Sequence, residues 1–199
     1  MAERRKYDSP VRRQQAADTR DRIVAAGAEL VHGFESWDWR GLTVRSVAAR
    51  AGVSERTVYR HFADEAELRG AVMAHLHDEA GVALGDVTLD GFGDLAAQVF
   101  AYLSSFPVRP RPARDPTFAA ADDRRRRALL DAVEPATAGW DDGDRRLVAA
   151  VLDVLWTVPT YERLRTAWDL DAADTARLAR WVVDLVRRAV DEDRRPSGP

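Results

Sequence analysis

Apolar residues recur along this chain at spacings of three and four, and nowhere alternate with polar ones over a useful length. That period belongs to helices with one buried face, so the expected fold is all-α. The pattern is sharpest from Thr43 to Phe62. Val44, Val47, Ala48 and Ala51 form one stripe, with Thr43 before it as an N-cap and Gly52 after it. At that glycine the chain must turn through a left-handed conformation. Ser54 caps a second helix that turns Val58 and Phe62 inward, and Ala48 is small enough to let the two helices cross closely. Glu55, Arg56, Thr57, Tyr59, Arg60 and His61 are left facing outward. Such a donor-rich, aromatic face suits phosphate oxygens and base edges. A plain surface hairpin would share the helix–glycine–helix outline. The two caps, the small crossing residue and the basic face favour a helix-turn-helix that lays its second helix in a DNA groove.

The flanking pattern extends this head. A helix is expected from about Thr19 to Gly33 with Ile23, Ala26, Leu30 and Phe34 on one face, behind a mobile basic arm of residues 1–17. Trp37 and Trp39 are expected to pack under the helix pair. Asp64 reads as the N-cap of a fourth helix, with Glu65 and Glu67 in its first turn, where acids suit the helix dipole. Leu68, Ala71, Val72 and Leu76 carry that helix toward Leu84. A loop over 85–91 precedes a helix from about Phe92 to Phe106. The stretch 107–116 contains four prolines and cannot be helical. Asp115 and Pro116 then read as a cap and first position of a helix running to Val133.

Two further helices are expected at 145–158 and 172–190, and each carries two apolar stripes. Leu147, Val151, Val154 and Val158 lie beside Val148, Leu152 and Leu155; Leu178, Val182, Leu185 and Ala189 lie beside Ala179, Val183, Val186 and Val190. A surface helix needs one such face, and a second calls for a partner. A homodimer built on a four-helix bundle is expected in preference to a deep monomeric core, with Val151, Leu155, Leu178, Val182, Leu185 and Val186 as candidate interface residues. The expected division is therefore an arm (1–17), a helix-turn-helix domain (18–64), a helical ligand-binding and dimerisation body (65–191) and a disordered tail (192–199), about nine helices in all.

Charge supports the division. The 199 residues carry a net −3, yet residues 1–62 hold 12 Lys or Arg against 8 Asp or Glu, leaving 18 against 25 for the remainder. A basic head on an acidic body fits DNA binding through the head. The chain has no cysteine, which excludes disulfides, thiolate metal sites and cysteine nucleophiles. No apolar run reaches the ~20 residues that span a bilayer, and the basic N-terminus lacks the apolar core of a secretory signal. A cytoplasmic protein is expected.

Other candidate chemistry is sparse. His75 and His77 are two apart on a helix and face different sides, a poor metal pair, and His32 reads as a surface or capping residue. In the run from Asp122 to Arg127, Asp122 is expected to pair with Arg126 and Asp123 with Arg127 on a solvated face. No serine–histidine–acid arrangement and no glycine-rich phosphate loop is present, so neither an enzyme nor a cofactor is expected. Aromatic residues scattered over the body, among them Phe106, Trp140 and Trp168, read first as core. Phe100, Leu103, Phe118, Leu129, Trp156 and Tyr161 are candidates for an apolar ligand pocket.

The run from Arg22 to Leu76 resembles the DNA-binding head of TetR-type transcriptional regulators, through Ile23 in its first helix, TVRSVAARAGVS, TVYRHF, and Leu68, Ala71 and Val72 in the fourth. More loosely, 156–190 is similar to the dimerising end of that family. The resemblance implies a homodimer that binds a palindromic operator on double-stranded DNA and is released by a small-molecule effector. It also implies that Thr43, Tyr59 and His61 contact phosphates, while Ser54, Arg56, Thr57 and Arg60 read or approach bases. Arg45 completes the candidate set. Two positions depart from the family pattern: Arg56 stands where glycine is frequent, and Glu65 where lysine is frequent. Arg56 would add a guanine contact, and Glu65 would remove a phosphate partner. The competing reading is a helical small-molecule-binding protein with weak or lost DNA binding.

Overall fold

The computed structural model describes residues 10–108 and 116–196, with backbone alone for 116–118. Nine α-helices and no strand occur among the described residues: α1 (Pro10–His32), α2 (Val44–Ala51), α3 (Glu55–His61), α4 (Glu65–Glu79), α5 (Phe92–Ser104), α6 (Pro116–Val133), α7 (Asp142–Leu155), α8 (Val158–Ala167) and α9 (Ala172–Asp191). They form two compact units, Met1–Pro110 and Arg111–Pro199. The boundary expected after residue 64 falls inside the first unit, because α4 and the end of α5 share its core.

That core is built from the apolar stripes of α1 to α4. Ile23, Leu42, Val47, Val58, Leu68 and Val72 are fully enclosed, and Val44, Ala48, Phe62 and Leu76 nearly so. Burying each large side chain is worth about 1.5–3 kcal/mol. Leu30, Phe34 and Trp39 pack against its edge. Trp37 does not lie under the helix pair as expected: it is half exposed and rests against Phe106, 5.3 Å between ring centroids. The α1–α4 crossing depends on a residue with no side chain. A Cβ on Gly27 would stand 2.4 Å from Val72 Cγ2.

The first helix starts earlier than its apolar pattern. Residues 10–17, expected as part of a mobile arm, are helical, and residues 1–9 lie outside the described set. Proline suits a first helical position, and the Arg, Gln and Ala that follow are strong helix formers needing no buried face. The Gln14 amide donates to Asp18 one turn on, at 2.8 Å.

In the second unit Leu129 and Val133 of α6 pack against Trp140 and against Val148 and Ala149 of α7, flanked by Leu152, Val186 and Val190. Arg145 holds the intervening turn, donating to the buried Thr137 hydroxyl and to the Trp140 carbonyl. The α7 helix stops at Leu155, so Val158 opens α8 and does not continue the α7 stripe. Pro159 has no N–H to return to Leu155, and Thr157 caps the new helix through Thr160 N. Of the expected disordered tail, residues 192–196 are ordered against Trp140. The indole donates to Asp193 at 2.7 Å and the Arg195 guanidinium sits 5.5 Å over the ring. Residues 197–199 are outside the described set.

Candidate nucleic-acid interface

Two polar N-caps and a glycine turn fix the geometry of α2 and α3. Thr43 and Ser46 form a reciprocal capping box: Thr43 Oγ1 accepts from Ser46 N at 3.1 Å and Ser46 Oγ accepts from Thr43 N at 3.0 Å. At the other end of α2, Gly52 adopts φ +67°. Its N–H reaches the Ala49 carbonyl while the Val53 N–H reaches Ala48 at 3.0 Å, the bond pair of a Schellman turn. Ser54 Oγ accepts from Thr57 N at 3.1 Å and starts α3. The α3 axis is thereby set by two turns of backbone bonding and by Val58 and Phe62 beneath it.

On the exposed side of this pair lie Arg45, Ser54, Arg56, Tyr59 and Arg60, with Thr43 and Thr57 half-buried. Tyr59 is 53% exposed although aromatic. Arg45, Arg56 and Arg60 have no carboxylate partner among the described residues, unlike Arg50, held by Glu29 at 2.6 Å, and Arg40, held by Asp38. Three exposed guanidiniums on the helix pair, without a carboxylate partner among the described residues, attract anions. The hydroxyls of Thr43, Ser54 and Thr57 are already engaged in capping.

The candidate His61, and Glu65 beyond the end of α3, have surroundings that spacing does not show. His61 does not simply face outward: the ring is half-buried and its Nε2 is enclosed without a hydrogen-bond partner among the described residues. Burial, then the neighbouring charges of Arg60 and Arg20, hold its pKa below the ordinary histidine value, so the neutral ring is favoured. Arg20 meanwhile lies 4.9 Å over the Phe62 ring and closes the end of α3. Glu65 is not simply a lost phosphate partner either. Its Oε1 accepts from the Val44 N–H at 3.3 Å and its Oε2 pairs with Arg69 at 3.1 Å. Arg69 in turn donates to the Leu42 carbonyl at 3.0 Å, so Glu65 and Arg69 clamp the entry to α2.

On another part of the first unit, sequence reasoning missed a second polar cluster. Glu79 of α4 accepts from the Tyr102 hydroxyl of α5 at 2.7 Å, lies 3.0 Å from His32 Nε2 of α1, and lies 3.4 Å from His75. The His32 ring stacks on Phe106 at 4.4 Å. Hydrogen bonding to His32 and then Tyr102 holds the Glu79 carboxyl below its ordinary pKa. The only sequence signal is a histidine at a helix end, whose partners Glu79 and Tyr102 stand 47 and 70 residues away in the chain. Among the described residues no group of acids and histidines could hold a metal ion, and no helix is long and apolar enough to cross a membrane.

The body candidates are dispersed. Phe100 is 69% exposed and Leu103 half-buried on α5 in the first unit. Leu129 is in the core of the second unit, where Trp156 and Tyr161 are exposed. Phe118 lies among side chains outside the described set. Of the interface candidates, Val151 and Leu185 are exposed and Leu155, Leu178, Val182 and Val186 half-buried, with Val186 also touching the core. The charged run on α6 pairs at three residues, not four: Asp122 with Arg125 and Asp123 with Arg126. Arg125 also reaches Asp153 of α7 at 2.6 Å, a partner that linear spacing does not reveal.

Residues 23–72 match the model of bacterial regulatory proteins of the tetR family, the segment that contains the capped helix pair. The chain is also 32% identical over 158 residues to an HTH-type transcriptional repressor of Mycobacterium tuberculosis, Rv3405c, covering 75% of this chain and 78% of the relative. The same identity and coverage hold for an HTH-type transcriptional regulator of Mycobacterium bovis, Mb3439c. On that similarity and the helix-turn-helix described above, the chain belongs to the tetR family of bacterial regulatory proteins and is a helix-turn-helix transcriptional regulator.

Proposed function

We propose that the protein is a homodimeric repressor that places α3 of each protomer in a major groove of a palindromic operator and is released by a small-molecule effector. The observation that carries the DNA part is the face shared by Arg45, Arg56, Tyr59 and Arg60, exposed on rigidly capped helices and without carboxylate partners among the described residues. In this reading Arg56 reads guanine through its two-pronged guanidinium, Arg60 and Tyr59 hold phosphates, and Thr43, Ser54 and Thr57 set the backbone that faces the groove. His61 serves as a neutral, half-buried wedge at the end of α3. Glu65 acts inside the protein, on the start of α2.

The dimer reading is supported by apolar surface with no use in one chain. Leu147, Val151 and Val154 on α7 are 52%, 45% and 59% exposed, and Trp181, Val183 and Leu185 on α9 are 58%, 43% and 41% exposed. Leu147, Val151, Val154, Val186 and Ala189 line an open apolar groove of ≈ 630 Å³ between these helices. Two-fold pairing gives the two heads a fixed spacing, hence inverted half-sites. An effector would favour body conformations in which that spacing no longer fits. The repressor named among the relatives supports the sign of regulation.

A gel shift of the full chain on the DNA upstream of its own coding region, against a scrambled duplex at physiological salt, tests this. Preferential binding of the upstream DNA, weakening steeply with salt, is expected. Equal affinity for both duplexes, or binding indifferent to salt, would instead favour the competing reading of a helical small-molecule-binding protein.

A further inference from the structure

The opening turns of α1 carry no residue of the first unit's buried core. Every residue from Pro10 to Asp18 is exposed, Val11 at 63%. Yet one face of this extension is ordered by spacing: Arg12, Gln15, Ala16, Thr19 and Arg22 recur at three- and four-residue intervals and so align along one side of the helix. Together with Arg60 of α3 they line a single open groove of ≈ 580 Å³. Neither Arg12 nor Arg22 has a carboxylate partner among the described residues, and Arg60 is on the face already assigned to DNA.

Resting on the DNA-binding reading, we infer that this groove is a second phosphate-binding surface, in which α1 carries Arg12 and Arg22 against the duplex backbone beside the groove that α3 enters. The two guanidiniums are ten residues apart, about 15 Å along the helix, so they neutralise separate phosphates. Gln15 and Thr19 supply uncharged donors between them. Asp18, at the groove edge, is the opposing element: its carboxylate, held by Gln14, repels the same backbone. The surface carries affinity without sequence preference, because phosphates are identical at every base pair.

The test uses the full chain, a fluorescent 30-base-pair duplex of random sequence, and the upstream duplex. Each phosphate contact contributes about −0.9 to the slope of log affinity against log salt. The double variant Arg12→Ala, Arg22→Ala is therefore expected to flatten the slope by about 1.8 on both duplexes. Between 50 and 200 mM salt that amounts to losing about 10-fold less affinity than the natural chain loses. Its preference for upstream over random DNA should be unchanged. Asp18→Asn should move affinity the opposite way on both duplexes, which a folding defect could not do. An unchanged slope in the double variant, or a loss confined to the upstream duplex, overturns the inference and leaves the α3 reading intact. Failure of the natural chain to bind either duplex at 50 mM salt overturns both.

Discussion

The α1–α4 crossing makes the sharpest structural prediction, because a single hydrogen decides it. Gly27 sits mid-helix, where replacing glycine by alanine ordinarily stabilises by about 1 kcal/mol. Here the added methyl would lie 2.4 Å from Val72 Cγ2, more than 1 Å inside the ordinary carbon–carbon separation of about 3.5–4.0 Å. Val72 is fully buried, and its branched side chain has one favoured rotamer in a helix, so it cannot swing aside. Overpacking of this kind costs about 1–3 kcal/mol, and the upper part applies where the neighbour is rigid. Gly27→Ala should then destabilise the first unit by about 2 kcal/mol after the helix gain is subtracted. Val72→Ala removes the clashing methyl, so Gly27→Ala in that background should be neutral or stabilising. Urea unfolding followed by far-UV circular dichroism, at one fixed protein concentration for all four chains, gives the coupling between the two sites. The reasoning fails if Gly27→Ala raises stability in the natural chain, or if its effect is the same with valine and alanine at position 72.

Other outcomes follow from the same geometry. Gly52→Ala meets no atom within 4 Å, so its whole cost is the left-handed backbone, about 1–2 kcal/mol; Gly52→Asn should lose less, and equal losses in urea melts would contradict this. Glu79 has its pKa lowered by the fold, so its contribution is full above the ordinary carboxylate pKa and is lost as pH falls through the lower folded value. Glu79→Gln should accordingly be less stable than the natural chain at pH 7 and converge on it toward pH 3; a constant difference across that range would refute the assignment. Val151→Asp combined with Leu185→Asp should shift the sedimenting species from dimer to monomer without loss of helix content, since both residues are exposed in one chain. Arg56→Ala should bring the affinities for upstream and scrambled DNA together, whereas Tyr59→Phe should lower both alike; the reverse pattern would exchange their roles.

Much of the head is legible in the sequence because its determinants are local. Thr43, Ser54 and Asp64 cap the helices their positions announce, Gly52 turns where an unstrained left-handed residue is required, and the Leu68–Val72–Leu76 stripe is buried as its spacing implies. Periodicity failed where a helix has no buried face: Pro10 to Asp18 is helical through propensity and a proline start, and carries no apolar signal to read. It failed again wherever an arrangement joins distant segments. The Gly27–Val72 approach, the Glu65 bond to Val44, the Arg125–Asp153 pair and the Glu79 cluster join residues 21 to 47 apart in the chain or meet only across a helix crossing. The enclosure of the His61 Nε2 edge is likewise invisible to spacing, because position on α3 does not reveal what closes over a ring. In the body the wide apolar faces were visible, but spacing alone could not say which stripe turns inward. Val148 and Leu152 do, and Leu147, Val151 and Val154 do not.

In the proposed function, capped helix α3 reads DNA as one half of a symmetric pair. Selection of binding sequences from a random duplex library by the full chain tests it most directly. The expected result is enrichment of an inverted repeat whose guanine preference at one position per half-site disappears in Arg56→Ala. Recovery of unenriched sequence, or of a single uninverted site insensitive to Arg56→Ala, would contradict it.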